Sequence, residues 1–211
     1  MDVRRGWFGF TALVVLVGLV VQILVTAGDS TGRFPDLGPR LFNVFCFFTI
    51  QSNVLVLVTS ALLAANPDRP STLFRALRLD GVLAIAVTGV VFHTVLKGLH
   101  ALTGAAAFAD FLLHTMSPVL CVIGWLAFGP RGAITGRVIG WSVVFPLAWL
   151  AFTLVRGAVI DWYPYPFVNV TALGYGRVLL NCAAVAVLFL ALAAGALWLD
   201  RLMSRKQAPV A

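Results

Sequence analysis

Residues 7–27 read WFGFTALVVLVGLVVQILVTA, an apolar run without a single charged side chain. A helix rises about 1.5 Å per residue, so a run of this length crosses the ~30 Å hydrocarbon layer of a bilayer. Five more long, largely apolar runs follow at residues 41–65, 81–100, 108–128, 138–155 and 178–199. Between them lie Gly, Pro, Asp and Arg clusters such as residues 28–39 and 66–70, which is turn chemistry. The chain is 61% hydrophobic and 11% charged, against about a quarter charged in a soluble domain. One globular core cannot hide that much apolar surface. The expected fold class is all-α, a polytopic membrane protein in which residues 1–211 form a single six-helix bundle. Arg4-Arg5 ahead of residues 7–27 resembles a signal peptide, but the run is long and Thr26-Ala27-Gly28 is a poor small-x-small cleavage site, so it reads as a retained first helix.

A net charge of +7 and a pI of about 10.2 raise the question of nucleic acid, and the placement of the charges answers it. The segments on the N-terminal side of the six runs hold Arg4, Arg5, Arg69, Arg75, Arg78, Arg131, Arg137, Arg201, Arg205 and Lys206. The opposite side holds Arg33, Arg40, Lys97, Arg156 and Arg177. By the positive-inside rule both termini are expected in the cytoplasm. The basicity is then topological, and a lipid bilayer rather than nucleic acid is the expected partner. Arg heavily outnumbers Lys and Ala, Val, Leu and Gly are abundant, a composition that reads as a GC-rich bacterium and places the protein in the inner membrane. Cys46, Cys121 and Cys182 lie in apolar runs without CxxC spacing, so buried thiols are expected.

Polar groups inside hydrocarbon are costly, and those retained usually face the bundle interior and carry function. Residues at i, i+3, i+4 and i+7 share one helix face. Thr49, Ser52 and Asn53 obey that spacing, as do His93, Lys97 and His100, and Asp110, His114 and Ser117. Three helices thus each carry one polar stripe at similar depth, on the outer side. Asn181 and Arg177 open the sixth run, while Thr153 and Arg156 close the fifth. The cytoplasmic halves look comparatively bare, so an outer-leaflet polar cavity is expected. Pro118 and Pro146 lack the N–H groups that would bond the carbonyls of His114 and Ser142, and are expected to kink the fourth and fifth helices. Taken singly, Ser52, Thr115 or Asn181 could serve only to hydrogen-bond a neighbouring helix, and Lys97 or Arg156 could simply snorkel.

A hydroxyl near a histidine suits acyl transfer. Thr49 is a poor nucleophile until a base takes its proton, and the neutral imidazole of His114 does that. Asp110, one turn earlier, would orient the ring. Ser52, Asn53 or Asn181 would donate to the developing oxyanion. Lys97, His93, Arg156 or Arg177 would suit a carboxylate on the substrate. Trp162, Tyr163 and Tyr165, in a loop that Pro164 and Pro166 hold extended, would form a rim or interfacial anchor. An alternative use of the same groups is zinc, with His93, His100, His114 and Asp110 as ligands. On a regular helix His93 and His100 stand about 10 Å apart, too far to share one ion. No metal and no cofactor is therefore expected.

The segments Phe47-Phe48-Thr49-Ile50-Gln51-Ser52-Asn53, His114-Thr115-Met116-Ser117-Pro118-Val119-Leu120 and Trp162-Tyr163-Pro164-Tyr165-Pro166-Phe167 resemble the androgen-induced and androgen-dependent six-helix membrane proteins. They resemble still more the bacterial six-helix relatives of those proteins. The resemblance runs over nearly the whole chain in the same order. It implies a threonine hydrolase of fatty-acyl esters, such as fatty acid esters of hydroxy fatty acids, in which Thr49 matches the essential threonine and His114 the essential histidine. Two departures stand out. Phe111 occupies the neighbourhood of an additional histidine in the animal proteins, and Ser52-Asn53 and Asp110 look like features of the bacterial branch. The reading from another class is a non-enzymatic lipid- or small-molecule-binding protein, or a transporter, using the same cavity. A secondary transporter is disfavoured because no inverted repeat is visible.

Overall fold

The computed structural model describes residues 2–69, 71–99 and 101–205. His100 and Lys206, named above, and residue 70, the end of the turn cluster 66–70, lie outside the described residues. Among those described, every regular element is helical: α1 Val3–Gly28, α2 Leu37–Val44, α3 Phe48–Ala65, α4 Thr72–Leu96, α5 Gly104–Phe128, α6 Gly136–Ser142, α7 Val144–Ile160 and α8 Val170–Arg205. Six stretches are long and apolar enough to cross a membrane: α1, α3, α4, α5, the α6–α7 stretch Gly136–Ile160, and Val170–Ser204 within α8. Large apolar side chains such as Leu13, Leu24, Val155, Val159 and Val187 point outward. That is the surface a multi-pass membrane protein presents to lipid.

Local chemistry sets the boundaries. The Asp2 carboxylate accepts the Arg4 N–H at 3.0 Å, and the Ser71 hydroxyl oxygen accepts the Phe74 N–H at 3.3 Å. Both satisfy donors that the first turn of a helix leaves without intrahelical partners. With Ser71 as cap, α4 begins nine residues before Gly81, and Arg75, Arg78 and Asp80 become part of a span instead of a loop. Charge made that segment look like loop; in the fold, Arg78 and Asp80 are buried.

The second apolar run is also divided. It contains the short helix α2, with Pro39 in the first turn where no N–H is needed, a turn at residues 45–47, and then α3. The Gln51 side-chain amide donates to the Phe45 carbonyl at 2.9 Å, bridging the break. In the fifth run the interruption falls at Val143, three residues before Pro146. The sixth starts at Val170 and is interrupted at Gly174, whose φ of 74° lies in the left-handed region.

The chain's contacts cluster into two compact units, Met1–Gly129 and Pro130–Ala211. In the first, α1 packs along α3 and α5, α3 along α4, and α4 along α5, so four spans close a ring around Phe8, Val15, Val56, Leu83, Ile85 and Leu113. Two glycines permit the closest approaches. A Cβ at Gly18 would lie 2.9 Å from Leu113 Cδ2, and one at Gly89 would lie 3.0 Å from Pro118 Cβ. Larger residues there would force α1 and α4 away from α5.

In the second unit α7 packs on α6 and α8, and the turn Pro166–Val168 packs on α8. The buried Asp200 carboxylate accepts the Gly132 and Ile134 N–H groups, each at 3.0 Å, and so ties the loop before α6 to α8. Cys46 and Cys121 are buried thiols, while Cys182 is half-buried.

Candidate functional site

The Phe45–Phe47 break decides the position of Thr49. Because α3 starts at Phe48, Thr49 lies in its first turn, not several turns into a continuous helix. Its depth is better measured along α5, where His114 lies ten residues past Gly104, about 15 Å at the ordinary helical rise. The Thr49 Oγ1 to His114 Nε2 distance is 3.2 Å, so both residues share that level. Thr49 is 6% exposed.

His114 sits in a π-turn, Leu112–Met116, closed by the Ser117 N–H bonding the Leu112 carbonyl. Pro118 follows two residues later with no N–H to return to His114, and the wider turn absorbs the lost bond. A second π-turn, Phe92–Leu96, ends α4, with the Lys97 N–H donating to the Phe92 carbonyl at 2.7 Å. The two turns face each other. The Phe92 ring stacks on the His114 imidazole with centroids 4.2 Å apart and planes 15° apart. Beside them His93 Nε2 and Thr115 Oγ1 are 3.2 Å apart.

The other ring nitrogen of His114 faces Asp110. Nδ1 is 2.9 Å from Asp110 Oδ1 and 3.2 Å from the Asp110 carbonyl oxygen. Both are acceptors, so these partners assign the Nδ1–H tautomer to the neutral ring. Nε2 then carries a lone pair aimed at the Thr49 hydroxyl. Carboxylate, imidazole and hydroxyl form one hydrogen-bonded line across α5 and α3, in the order a nucleophile, its base and the base's orienting group require. The Asp110 and His114 side chains are 26% and 17% exposed.

Ser52 and Asn53 are both fully buried beneath this line. The Asn53 amide donates to the Thr49 carbonyl at 2.8 Å and to the Leu113 carbonyl at 3.2 Å. Both of its protons are therefore used in fastening the first turn of α3 to the π-turn of α5. Ser52 donates to the Thr49 carbonyl at 3.0 Å and lies 3.2 Å from the Thr88 hydroxyl on α4. Asn53 Oδ1 and the Ser117 hydroxyl, also buried, have no hydrogen-bond partner among the described residues.

Lys97 and His93 are exposed at the end of α4. The remaining sequence candidates belong to the second unit. There the Arg156 guanidinium lies over the Trp162 ring at 5.0 Å. Tyr163 lies against Gly157. Tyr165 stacks on Phe167 with centroids 5.4 Å apart, and Asn181 donates to the Phe167 carbonyl at 2.9 Å. Arg177 is exposed.

For zinc, His93 and His114 each have a hydroxyl partner, and His100 lies outside the described residues. No cluster of three His, Cys, Asp or Glu residues occurs among those described.

Sequence reasoning missed Phe92, Thr88 and Gln51, three residues that hold the site together. Thr88 and Gln51 carried a signal, being polar in apolar runs, whereas Phe92 carried none. No family model, no curated protein and no solved structure matches this chain.

Proposed function

We propose that this protein is a membrane-embedded hydrolase of fatty-acyl esters, with Thr49 as nucleophile and His114 as general base. The observation that carries the proposal is the continuous line from Asp110 Oδ1 through His114 to Thr49 Oγ1, with links of 2.9 and 3.2 Å. His114 Nε2 takes the hydroxyl proton as Oγ1 attacks the ester carbonyl. The imidazolium then gives that proton to the leaving alcohol, leaving an acyl-threonine. Water, deprotonated by the same nitrogen, attacks the acyl carbonyl, and the fatty acid departs as the proton returns to Thr49.

Two features favour the charged ring that forms midway: the Asp110 carboxylate at Nδ1 and the face of Phe92 stacked on it. Thr49 also lies at the positive end of the α3 dipole, which favours negative charge on its oxygen. An acyl chain suits the apolar surroundings of the spans. By the positive-inside rule both termini are cytoplasmic, and the site lies in the outer half of the bacterial inner membrane.

The test is a fluorophosphonate probe together with turnover of a fluorogenic long-chain acyl ester, in wild type, Thr49→Ala and His114→Ala. Loss of both labelling and turnover in each variant is the expected result. Undiminished activity in either variant refutes the dyad, and binding of the ester with no turnover by wild type identifies a lipid-binding protein instead.

A further inference from the structure

A second polar layer lies at the other end of the four-span unit, where the sequence had suggested bare packing. Arg78 lies on α4 fourteen residues before Phe92, about 21 Å from the Thr49–His114 level at the helical rise. It is 6% exposed. Its Nη1 donates to the Thr59 and Ser60 hydroxyls of α3 at 3.3 and 3.4 Å, and its guanidinium lies 5.4 Å from the centre of the Phe8 ring of α1. Cys121 of α5 also lies beside it. All four spans therefore contribute to the enclosure.

Among the described residues no carboxylate makes an ion pair with this guanidinium. Asp80 is on the same helix but about 200° around it, and the two make no ion pair. Nη2 of Arg78 is buried without a hydrogen-bond partner among the described residues. One turn nearer the start of α4, half-buried Arg75 also has a buried Nε with no hydrogen-bond partner among the described residues. Two guanidinium groups three residues apart on one helix face repel each other, and an isolated charge inside hydrocarbon is costly. An oxyanion between α3 and α4 removes both penalties and supplies the missing acceptors. Guanidinium recognises phosphate through paired N–H donors. Basic pockets between membrane helices near the cytoplasmic surface are where anionic headgroups bind.

We infer that Arg78, Ser60 and Arg75 form a phosphate-binding site at the end of the unit remote from Thr49, taking the phosphate of an anionic lipid headgroup or free phosphate. Arg78 provides the buried anchor with its unused Nη2, the Ser60 hydroxyl proton provides a further donor, and Arg75 marks the side from which the anion arrives. This site does not depend on the hydrolase reading.

The experiment uses the full chain in nanodiscs of phosphatidylcholine alone, in the same lipid with phosphatidylglycerol added, and in phosphatidylcholine with inorganic phosphate in the buffer. The thermal midpoint is followed in wild type, Arg78→Met, Arg75→Gln and Ser60→Ala. Wild type is expected to gain about 5 °C with the anion at saturation, and Arg78→Met to gain nothing. Arg75→Gln and Ser60→Ala are expected to need roughly tenfold more anion for the same shift, the loss of one charge-assisted bond. These two milder variants decide the matter if Arg78→Met does not fold. A shift with phosphatidylglycerol alone assigns a lipid headgroup, and a shift with inorganic phosphate assigns the free ion. Equal midpoints for wild type in all three conditions, or equal gains in wild type and the three variants, overturn the inference and leave Arg78 as a helix-bridging residue only.

Discussion

Replacing Asp110 by Asn separates the two tasks that the proposed mechanism gives this residue. The carboxylate stabilises the imidazolium through a charge-assisted bond at 2.9 Å, and the same residue's backbone carbonyl holds Nδ1–H at 3.2 Å. Asn keeps the carbonyl and offers its own side-chain oxygen, so Nδ1 stays protonated and Nε2 still faces Thr49. Only the charge is lost. Hydrogen bonds to charged groups contribute about 1.5–3 kcal/mol and neutral ones about 0.5–1.5, so the transition state loses about 1–1.5 kcal/mol. At 1.36 kcal/mol per factor of ten, kcat is expected to fall about tenfold. Loss of the productive tautomer is far more damaging, about 10⁴-fold in the chymotrypsin triad. The assay is kcat for a fluorogenic long-chain acyl ester in nanodiscs, with covalent probe labelling run alongside. A kcat within twofold of wild type, or an inactivity as complete as that of His114→Ala, would refute this division of labour between side chain and backbone.

Three further outcomes are expected. Asn53→Ala removes the donor shared by the Thr49 and Leu113 carbonyls, so thermal or denaturant unfolding should report a loss of about 2–3 kcal/mol, and ester turnover should drop because the first turn of α3 is no longer fastened to α5. Gly89→Ala places a Cβ 3.0 Å from Pro118, and overpacking of this kind costs about 1–3 kcal/mol; the melting midpoint should fall, and turnover with it as Phe92 moves from His114. Asp200→Ala leaves the Gly132 and Ile134 N–H groups unbonded and should destabilise the chain by about 2–4 kcal/mol, whereas Asp200→Asn, which keeps one acceptor oxygen, should recover part of that loss.

The spans were legible in the sequence because crossing hydrocarbon is a constraint on length and polarity that each segment meets by itself. Residues 7–27 need no knowledge of their neighbours to be read as a helix. The same holds for the nomination of Thr49, Ser52, Asn53, Asp110 and His114, since a polar group in an apolar run stands out and i, i+4 spacing places Asp110 on the same face as His114 on any helix. Local pattern misjudged the segments whose polarity is answered from elsewhere. Arg75, Arg78 and Asp80 looked like a loop because a charge in a span is unfavourable, and the hydroxyls that answer Arg78, on Thr59 and Ser60, are 19 and 18 residues away from it.

What only the tertiary structure decided is the pairing of the spans and the small departures from regular helix that bring the site together. The 65-residue separation of Thr49 and His114 carries no signal in either segment. Their 3.2 Å approach depends on α3 restarting at Phe48, on the π-turn ahead of Pro118, and on glycines at 18 and 89 that let neighbouring helices close in. Sequence determines which segments enter the membrane because that is a transfer free energy summed along each one. The contact between two such segments is a packing free energy of the whole ring of helices, and it exists only once the ring has closed.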